Sequence, residues 1–147
     1  MAFEQLKLEN QVCFPLYAAS RLVIQAYQED LSRLNITYPQ YLVMLVLWEK
    51  EGIAVNEISD KLILNTNTIT PLLKRMEGQG LIERRRSLED ERKVIVNLTQ
   101  KGKEMETEAV LIPYNMLTRL KEKGADINLD ALCEMKSQLD QLIRHLT

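Results

Sequence analysis

Residues 55–98 constrain the fold of this chain more than any other stretch. A first helix is predicted over VNEISDKLIL, followed by a polar turn and a second helix within NTNTITPLLKRMEGQG. The second helix has apolar residues at helical spacing, namely Ile69, Leu72, Leu73 and Met76. This pattern predicts that one face packs inward, which leaves Thr70, Lys74 and Arg75 facing outward.

The ends of the second helix are indicated by polar residues and glycines. Residues 65–68 carry side chains suited to capping the N–H groups at a helix N-terminus. Pro71 is expected in the first turn, where its missing N–H is tolerated. Gly78 and Gly80 predict the end of the helix, because glycine accepts the left-handed conformation common there.

A β-hairpin is predicted directly after the second helix. Two short runs, residues 81–86 and 94–98, flank a polar loop. Together with the helix pair they predict a winged DNA-binding unit, whose outer helix fits the major groove and whose hairpin reaches phosphates or the minor groove. The candidate DNA-contacting residues are Asn65, Thr66, Asn67, Thr68, Thr70, Lys74, Arg75, Arg84, Arg86, Arg92 and Lys93. The alternative is a helix pair whose hairpin takes no part in binding.

The distribution of charge favours DNA binding although the net charge of the chain is −2. Residues 60–103 contain ten Lys and Arg against six Asp and Glu, a local charge of +4. A solvated charged face is the usual meaning of such an imbalance. Here the positive charge coincides with the predicted recognition element, which favours contacts with phosphates.

Composition narrows the class of protein. A chain of 147 residues, 46% of them apolar, suits a single domain with an ample core. No apolar run reaches the 18 residues of a membrane span, and residues 1–11 lack a signal-peptide pattern, so we expect a cytoplasmic protein. Two cysteines fit a reducing compartment, and with the single His145 they are too few for a zinc site. No metal or cofactor is expected.

Helices are predicted on both sides of the winged unit, which we place at residues 36–98. A long amphipathic helix is expected from residue 4 to about residue 33, with its regular part starting near Cys13 because Pro15 removes a helical N–H. Thr37, with Pro39 just inside, predicts the cap of an apolar central helix over residues 41–50.

Beyond the wing, a helix is expected from about residue 100 to residue 123, kinked or interrupted for one turn by Pro113, and a last helix over residues 128–146. The apolar stripes of residues 1–35 and 99–147 need another surface to cover them. A second copy is the simplest one, and a homodimer suits two half-sites of a pseudo-palindromic operator. The alternative is that these helices fold back on their own chain.

Several motifs make the whole chain resemble the MarR family of winged-helix repressors. They are the helix Ile69–Glu77, the Gly80-Leu81-Ile82 turn, Asp90-Glu91-Arg92 in the wing, and Leu98-Thr99-x-x-Gly102 after it. The resemblance implies a mainly α fold with a small β-hairpin wing and helices for dimerisation at both ends. It also implies that Arg92 enters the minor groove of double-stranded DNA and that Asp90 braces it.

The N-terminal half is similar to the organic-hydroperoxide-sensing subgroup of that family. The matching residues are Cys13-Phe14, Tyr17, Tyr27 and the run from Asn35 to Tyr41, whereas Pro15 departs from the pattern. The resemblance implies that Cys13 is the redox sensor and that Tyr27 and Tyr38 hydrogen-bond to its sulfur. Cys133 is a possible resolving cysteine, but its place at the edge of an apolar stripe favours a packing role.

Three functions follow as hypotheses. The leading one is a repressor, not an enzyme, that leaves its operator when an organic hydroperoxide oxidises Cys13. The second is a MarR-type regulator released by a small phenolic or apolar ligand. The third is a thiol peroxidase, which the sequence disfavours because no basic residue lies between Asn10 and Ala19.

Overall fold

The computed structural model describes residues 3–147. Its α-helices are α1 Cys13–Arg33, α2 Tyr38–Glu49, α3 Val55–Leu62, α4 Thr66–Gly78, α5 Gln100–Glu104, α6 Glu106–Ala109, α7 Ile112–Glu122 and α8 Leu129–Leu146. The strands are β1 Ile53–Ala54, β2 Ile82–Arg86 and β3 Val94–Leu98. The chain divides into two compact units, and the boundary falls between Val110 and Leu111.

The N-terminal segment departs in part from the expected long helix. Glu4–Leu6 and Leu8–Asn10 form two short 3-10 turns, and the regular helix α1 begins at Cys13, as the position of Pro15 predicted. Only Asp30 and Leu31 of α1 are buried in the single chain.

Helix α2 forms the centre of the larger unit. It begins at Tyr38, three residues earlier than expected, because the Thr37 hydroxyl and the Gln40 side chain form a reciprocal capping box. Val43, Met44 and Leu47 are fully buried, which confirms its central position. Leu45, in contrast, is 42% exposed, so α2 is not covered on every side.

The sheet of the winged unit has three antiparallel strands in the order β1-β3-β2. The predicted hairpin is present as β2 and β3, and its register places Ile82 opposite Leu98 and Arg86 opposite Val94. Strand β1 was not predicted, because two residues are too few for a periodic pattern; it adds Ile53 opposite Val96. The fold is therefore a helix-turn-helix, α3 and α4, with a β-hairpin wing.

The segment after the wing is more interrupted than expected. The single helix predicted from residue 100 to 123 is three helices, α5, α6 and α7, separated at Met105 and at Val110–Leu111. Pro113 lies in the first turn of α7, directly after the break at Val110–Leu111, so the chain is interrupted near Pro113 rather than kinked there. Asn128 caps α8, which begins at Leu129, one residue after the expected start, and no residue of α8 is buried in the single chain.

Candidate nucleic-acid interface and redox site

The orientation of the recognition helix α4 is as the sequence predicted. Ile69, Leu72, Leu73 and Met76 are all buried, while Thr70, Lys74 and Arg75 are exposed. At about 100° per residue, the positions opposite the buried face are Asn67, Pro71 and Lys74. These three residues therefore form the outermost ridge of α4, and Thr70 and Arg75 lie on its two flanks.

Two details of α4 correct the expectation. Pro71 is the sixth residue of the helix, in its second turn, because the N-cap is Asn65 and the helix begins at Thr66. Gly78 is helical, and Gly80, with φ of 72°, is the glycine that uses the left-handed conformation. Sequence reasoning missed Pro71 as a surface residue, although its apolar ring stands at the centre of the outward ridge.

The N-terminus of α4 is built by the polar residues that the sequence singled out. The Asn65 side chain accepts hydrogen bonds from the backbone N–H of Thr68 and from the Thr68 hydroxyl, both at 3.0 Å. Thr66 and Asn67 are exposed beside this cap. Asn65 and Thr68 thus shape the helix end, and Thr66 and Asn67 remain predicted DNA contacts.

The wing loop is folded around Asp90. The backbone N–H groups of Glu89 and Asp90 donate to the Ser87 hydroxyl, and Lys93 N–H donates to the Asp90 carbonyl oxygen. The Asp90 carboxylate accepts from the Arg92 backbone N–H at 3.1 Å and lies 3.6 Å from the Arg92 guanidinium. The Arg92 side chain is 95% exposed. Asp90 therefore orders the backbone that projects Arg92, while the guanidinium remains accessible.

Arg84 is held by the recognition helix. Its guanidinium donates two hydrogen bonds to one Glu77 carboxylate oxygen, at 2.8 and 3.2 Å, and its backbone N–H donates to the other at 3.1 Å. The Arg84 hydrogen bonds lower the pKa of Glu77 and keep the carboxylate charged. We predicted Arg84 as a DNA contact, and these bonds add a positioning role between α4 and β2.

A cleft of about 370 Å³ lies between α3, α4 and the wing. Thr66, Thr70, Arg84, Arg92 and Lys93 all line it, so the fold brings five of the predicted DNA-contacting residues to one cleft. Arg86 lies two residues beyond Arg84 on β2 and is exposed, whereas Arg75 lines a separate depression beside the α1–α2 loop. Five of the predicted contacts thus meet at the cleft, whereas Arg75 lies at a different depression.

The Leu98-Thr99-x-x-Gly102 motif forms a close joint behind the wing. The Thr99 hydroxyl donates to the Gly80 carbonyl oxygen at 2.6 Å and accepts from Gly102 N–H at 3.1 Å. A Cβ added at Gly102 would overlap the Leu81 carbonyl oxygen. The Gly102 carbonyl also accepts a hydrogen bond from the Trp48 indole at 3.0 Å. This joint fixes the wing to α2 and α5.

Tyr27 and Tyr38, the two tyrosines assigned to the sensor, lie together. Their ring centroids are 5.2 Å apart, and Tyr41 lies 6.1 and 6.2 Å from them. Burial, reinforced by the electrostatic influence of Tyr27 and Tyr38, raises the pKa of Tyr41 to about 12, so its hydroxyl is a proton donor at neutral pH. The sequence analysis did not include Tyr41 in this tyrosine cluster, although its spacing of three from Tyr38 places both on one helix face.

Cys13 is the first residue of α1, and its thiol is exposed. Tyr27 follows fourteen residues later on the same helix, which corresponds to about 21 Å at the α-helical rise. The structure therefore separates Cys13 from Tyr27 of its own chain. Cys133, the possible resolving cysteine, is exposed on α8.

Residues 3–147 contain neither a cluster of metal ligands nor a helix that could span a membrane. In this part of the chain no group of three or more His, Cys, Asp and Glu side chains is arranged to hold a metal ion. Over the same residues, no helix is both long enough and apolar enough to cross a membrane.

Comparison with known proteins agrees with the fold. Residues 25–109 match the family described as transcriptional regulator SarA/Rot. The chain is 47% identical over 144 residues to the organic hydroperoxide resistance transcriptional regulator of Bacillus subtilis (strain 168), an alignment that covers 98% of this chain and 95% of that protein. It is 41% identical over 134 residues to the HTH-type transcriptional regulator TtmR of Methylorubrum extorquens (strain PA1), covering 90% of this chain and 69% of that protein.

Solved structures show the same fold. Reduced AbfR bound to DNA superposes with a TM-score of 0.79 at 35% identity, over 98% of this chain and 96% of that chain. A crystal structure of AbfR of Staphylococcus epidermidis gives a TM-score of 0.75 at 39% identity, over 97% of this chain and 95% of that chain. The chain therefore belongs to the MarR family of winged-helix transcriptional regulators, in its organic-hydroperoxide-sensing subgroup.

Proposed function

We propose that this protein is a homodimeric transcriptional repressor that releases its operator when an organic hydroperoxide oxidises Cys13. The observation that carries the proposal is the exposed Cys13 thiol at the N-terminus of α1, on a chain that also places Tyr27 and Tyr38 side by side. The 47% identical relative is named for organic hydroperoxide resistance, which supports this oxidant class.

The chemistry is a two-electron oxidation of sulfur. The Cys13 thiolate attacks the terminal oxygen of the hydroperoxide; the S–O bond forms as the O–O bond breaks. Sulfur becomes a sulfenic acid, and the hydroperoxide is reduced to an alcohol, whose leaving alkoxide takes up one proton. Phenolic hydroxyls placed at the sulfur would donate hydrogen bonds to the thiolate and to the departing oxygen.

We infer that those phenols come from the partner subunit. Because Tyr27 stands about 21 Å from Cys13 along α1, the tyrosine cluster of one chain serves the cysteine of the other. An antiparallel pair of α1 helices would bring the two together. The apolar side chains exposed on α1, including Phe14, Leu22, Val23 and Ile24, supply a surface for such a partner.

The reduced dimer would bind two half-sites of a pseudo-palindromic operator. The α4 ridge enters the major groove and Arg92 reaches the minor groove, while residues around the cleft contact phosphates. We place this activity in the cytoplasm, with no catalytic turnover and no resident cofactor. One oxidation event per subunit then changes the affinity for DNA rather than producing a metabolite.

A DNA-binding titration before and after treatment with cumene hydroperoxide tests the proposal. Wild-type protein should lose affinity on oxidation, whereas Cys13→Ser should stay bound, because the nucleophile is absent. Release of Cys13→Ser by the same treatment would favour the alternative of a regulator released by a small ligand. Sustained hydroperoxide consumption with a thiol reductant, far beyond one equivalent per Cys13, would favour the thiol peroxidase.

For Cys133 we propose a packing role at the surface of α8, with the oxidised Cys13 stopping at sulfenic acid or reacting with a small thiol. A non-reducing gel after hydroperoxide treatment, without added thiol, tests this. Wild type should remain monomeric on the denaturing gel. A covalent dimer that disappears in both Cys13→Ser and Cys133→Ser would instead make Cys133 the resolving cysteine.

A further inference from the structure

A pair of glutamine side chains links the recognition helix to the loop between α1 and α2. Gln79, the C-cap of α4, accepts a hydrogen bond from Gln40 of α2 at 2.8 Å and donates one to the Asn35 carbonyl oxygen at 3.0 Å. Gln40 in turn accepts from the Thr37 backbone N–H at 2.9 Å. We call the Gln40–Gln79 pair and its two loop contacts the glutamine bridge.

Burial, backbone conformation or a further hydrogen bond holds each residue of the glutamine bridge in place. Gln40 is 4% exposed, and both its amide N–H and its amide oxygen are hydrogen-bonded. In such a buried place a missing hydrogen bond would be costly. Asn35 holds φ of 54°, the left-handed conformation that asparagine tolerates, and this presents its carbonyl to Gln79. The Gln79 backbone carbonyl accepts from the Lys101 ammonium at 2.8 Å, which ties the same residue to α5.

The loop end of the bridge is adjacent to the tyrosine pair that we assign to the sensor. Thr37 is the N-cap of α2, and Tyr38, whose ring lies 5.2 Å from that of Tyr27, is the next residue. A change in the position of the Tyr38 backbone therefore moves the Thr37 N–H, which donates a hydrogen bond to the Gln40 side chain. The α4 end of the bridge is the last turn of the helix that presents Lys74 and Arg75. One continuous set of hydrogen bonds joins the two places.

We propose that the glutamine bridge transmits the oxidation state of the sensor to the recognition helix, so that Gln40 and Gln79 are positioning residues for DNA release. This inference rests on the proposed function. When Cys13 is oxidised, the hydrogen bonds at the sulfur change, Tyr38 shifts with the start of α2, and the bridge pulls the C-terminal end of α4. Neither glutamine touches DNA or sulfur in this scheme, and each acts through the helix it holds.

The test measures the ratio of Kd for operator DNA in the oxidised and reduced states. Gln79→Met keeps the length of the side chain and the backbone cap but removes both hydrogen bonds. Gln40→Met removes the same central bond from the α2 side. Gln100→Met is the matched control, because the Gln100 amide donates to Glu104 of its own helix at 2.9 Å and is not part of the glutamine bridge. Thiol titration confirms that Cys13 oxidises to the same extent in every variant.

We expect Gln79→Met to lower the oxidised-to-reduced Kd ratio by about 2- to 30-fold relative to wild type, the range for residues that carry coupling. Gln40→Met should lower the ratio similarly. The double variant should lower the ratio no further, because each single variant already breaks the same Gln40–Gln79 hydrogen bond. Gln100→Met should retain the wild-type ratio.

Equal losses of affinity in both oxidation states, which leave the ratio unchanged, would overturn the inference and make the bridge a purely structural contact. A normal ratio in folded Gln40→Met would overturn it even if Gln79→Met did not fold. If wild-type protein itself is not released by hydroperoxide, the proposed function fails, and this inference fails with it. If hydroperoxide releases wild type and both glutamine variants from DNA equally, only the inference about the glutamine bridge fails, and the proposed function stands.

Discussion

Glu77, in the last turn of α4, holds both the guanidinium and the backbone N–H of Arg84 in β2. The pair spans the junction between the recognition helix and the wing, the two elements that must enter adjacent grooves of one DNA duplex. Its side chains are 39% and 22% exposed, so it is partly screened by solvent. The angle between α4 and the wing therefore depends on a charge pair at the edge of the binding cleft.

Replacing Glu77 with Gln should lower the Tm at pH 7 by about 1–4 °C, the effect of a partly exposed ion pair in a chain of this size. Because the folded state lowers the pKa of Glu77, its contribution to stability is present above the ordinary pKa of a glutamate. The contribution is lost as the pH falls through the lowered value. Thermal unfolding of both proteins at several pH values should show the difference in Tm disappearing in acid; a constant difference would contradict the assignment.

Arg92→Ala should weaken DNA binding by about 1–3 kcal/mol and leave the oligomeric state unchanged. Asp90→Ala should weaken binding less, because it releases the Arg92 backbone without removing the cation. Binding isotherms at physiological salt and size-exclusion chromatography measure the two properties. Unchanged affinity of Arg92→Ala would remove the wing from the binding mechanism.

Lys74 and Leu72 occupy opposite sides of α4 and should have opposite phenotypes. Lys74→Ala should weaken DNA binding and reduce its dependence on salt, because a phosphate contact releases counterions. Leu72→Ala should chiefly reduce the free energy of unfolding, by about 2–5 kcal/mol, since the side chain is buried. Urea denaturation and operator titration separate the effects. The reverse pattern would mean that α4 is rotated relative to DNA.

Tyr41 should ionise at a higher pH than an ordinary tyrosine, because burial raises its pKa. The folded state raises its pKa from 10.0 to about 12, so its contribution to stability is complete below pH 10 and is lost as the pH rises to about 12. Tyr41→Phe should remove a step near pH 12 from the absorbance titration of tyrosinate. It should also flatten the fall in stability between these pH values. A variant with the same titration end point as wild type would contradict the shift.

The sequence was sufficient for features that are local and periodic. The buried face of α4, the polar run at its N-terminus and the β2–β3 hairpin follow from patterns within about a dozen residues. The place of Pro71 was wrong because it depended on which of four consecutive polar residues, 65–68, was the cap.

Other features depend on tertiary distance and could not be predicted. Glu77 and Arg84 are seven residues apart across a helix, a turn and a strand, and Gln40 and Gln79 are 39 residues apart. Nothing in their local sequence indicates a partner. Cys13 was assigned only through resemblance, because an isolated cysteine in a sequence is more often an inert buried residue.

The length of α1 has a consequence for how the protein would respond at low concentration. If the tyrosines about 21 Å along α1 serve the other subunit, an isolated protomer holds a sulfur without its hydrogen-bond donors. Oxidation of Cys13 per molecule would then slow on dilution below the dissociation constant of the dimer, whereas a self-contained site would react at a constant rate. Sensitivity to oxidant would thus depend on how much of the regulator a cell makes.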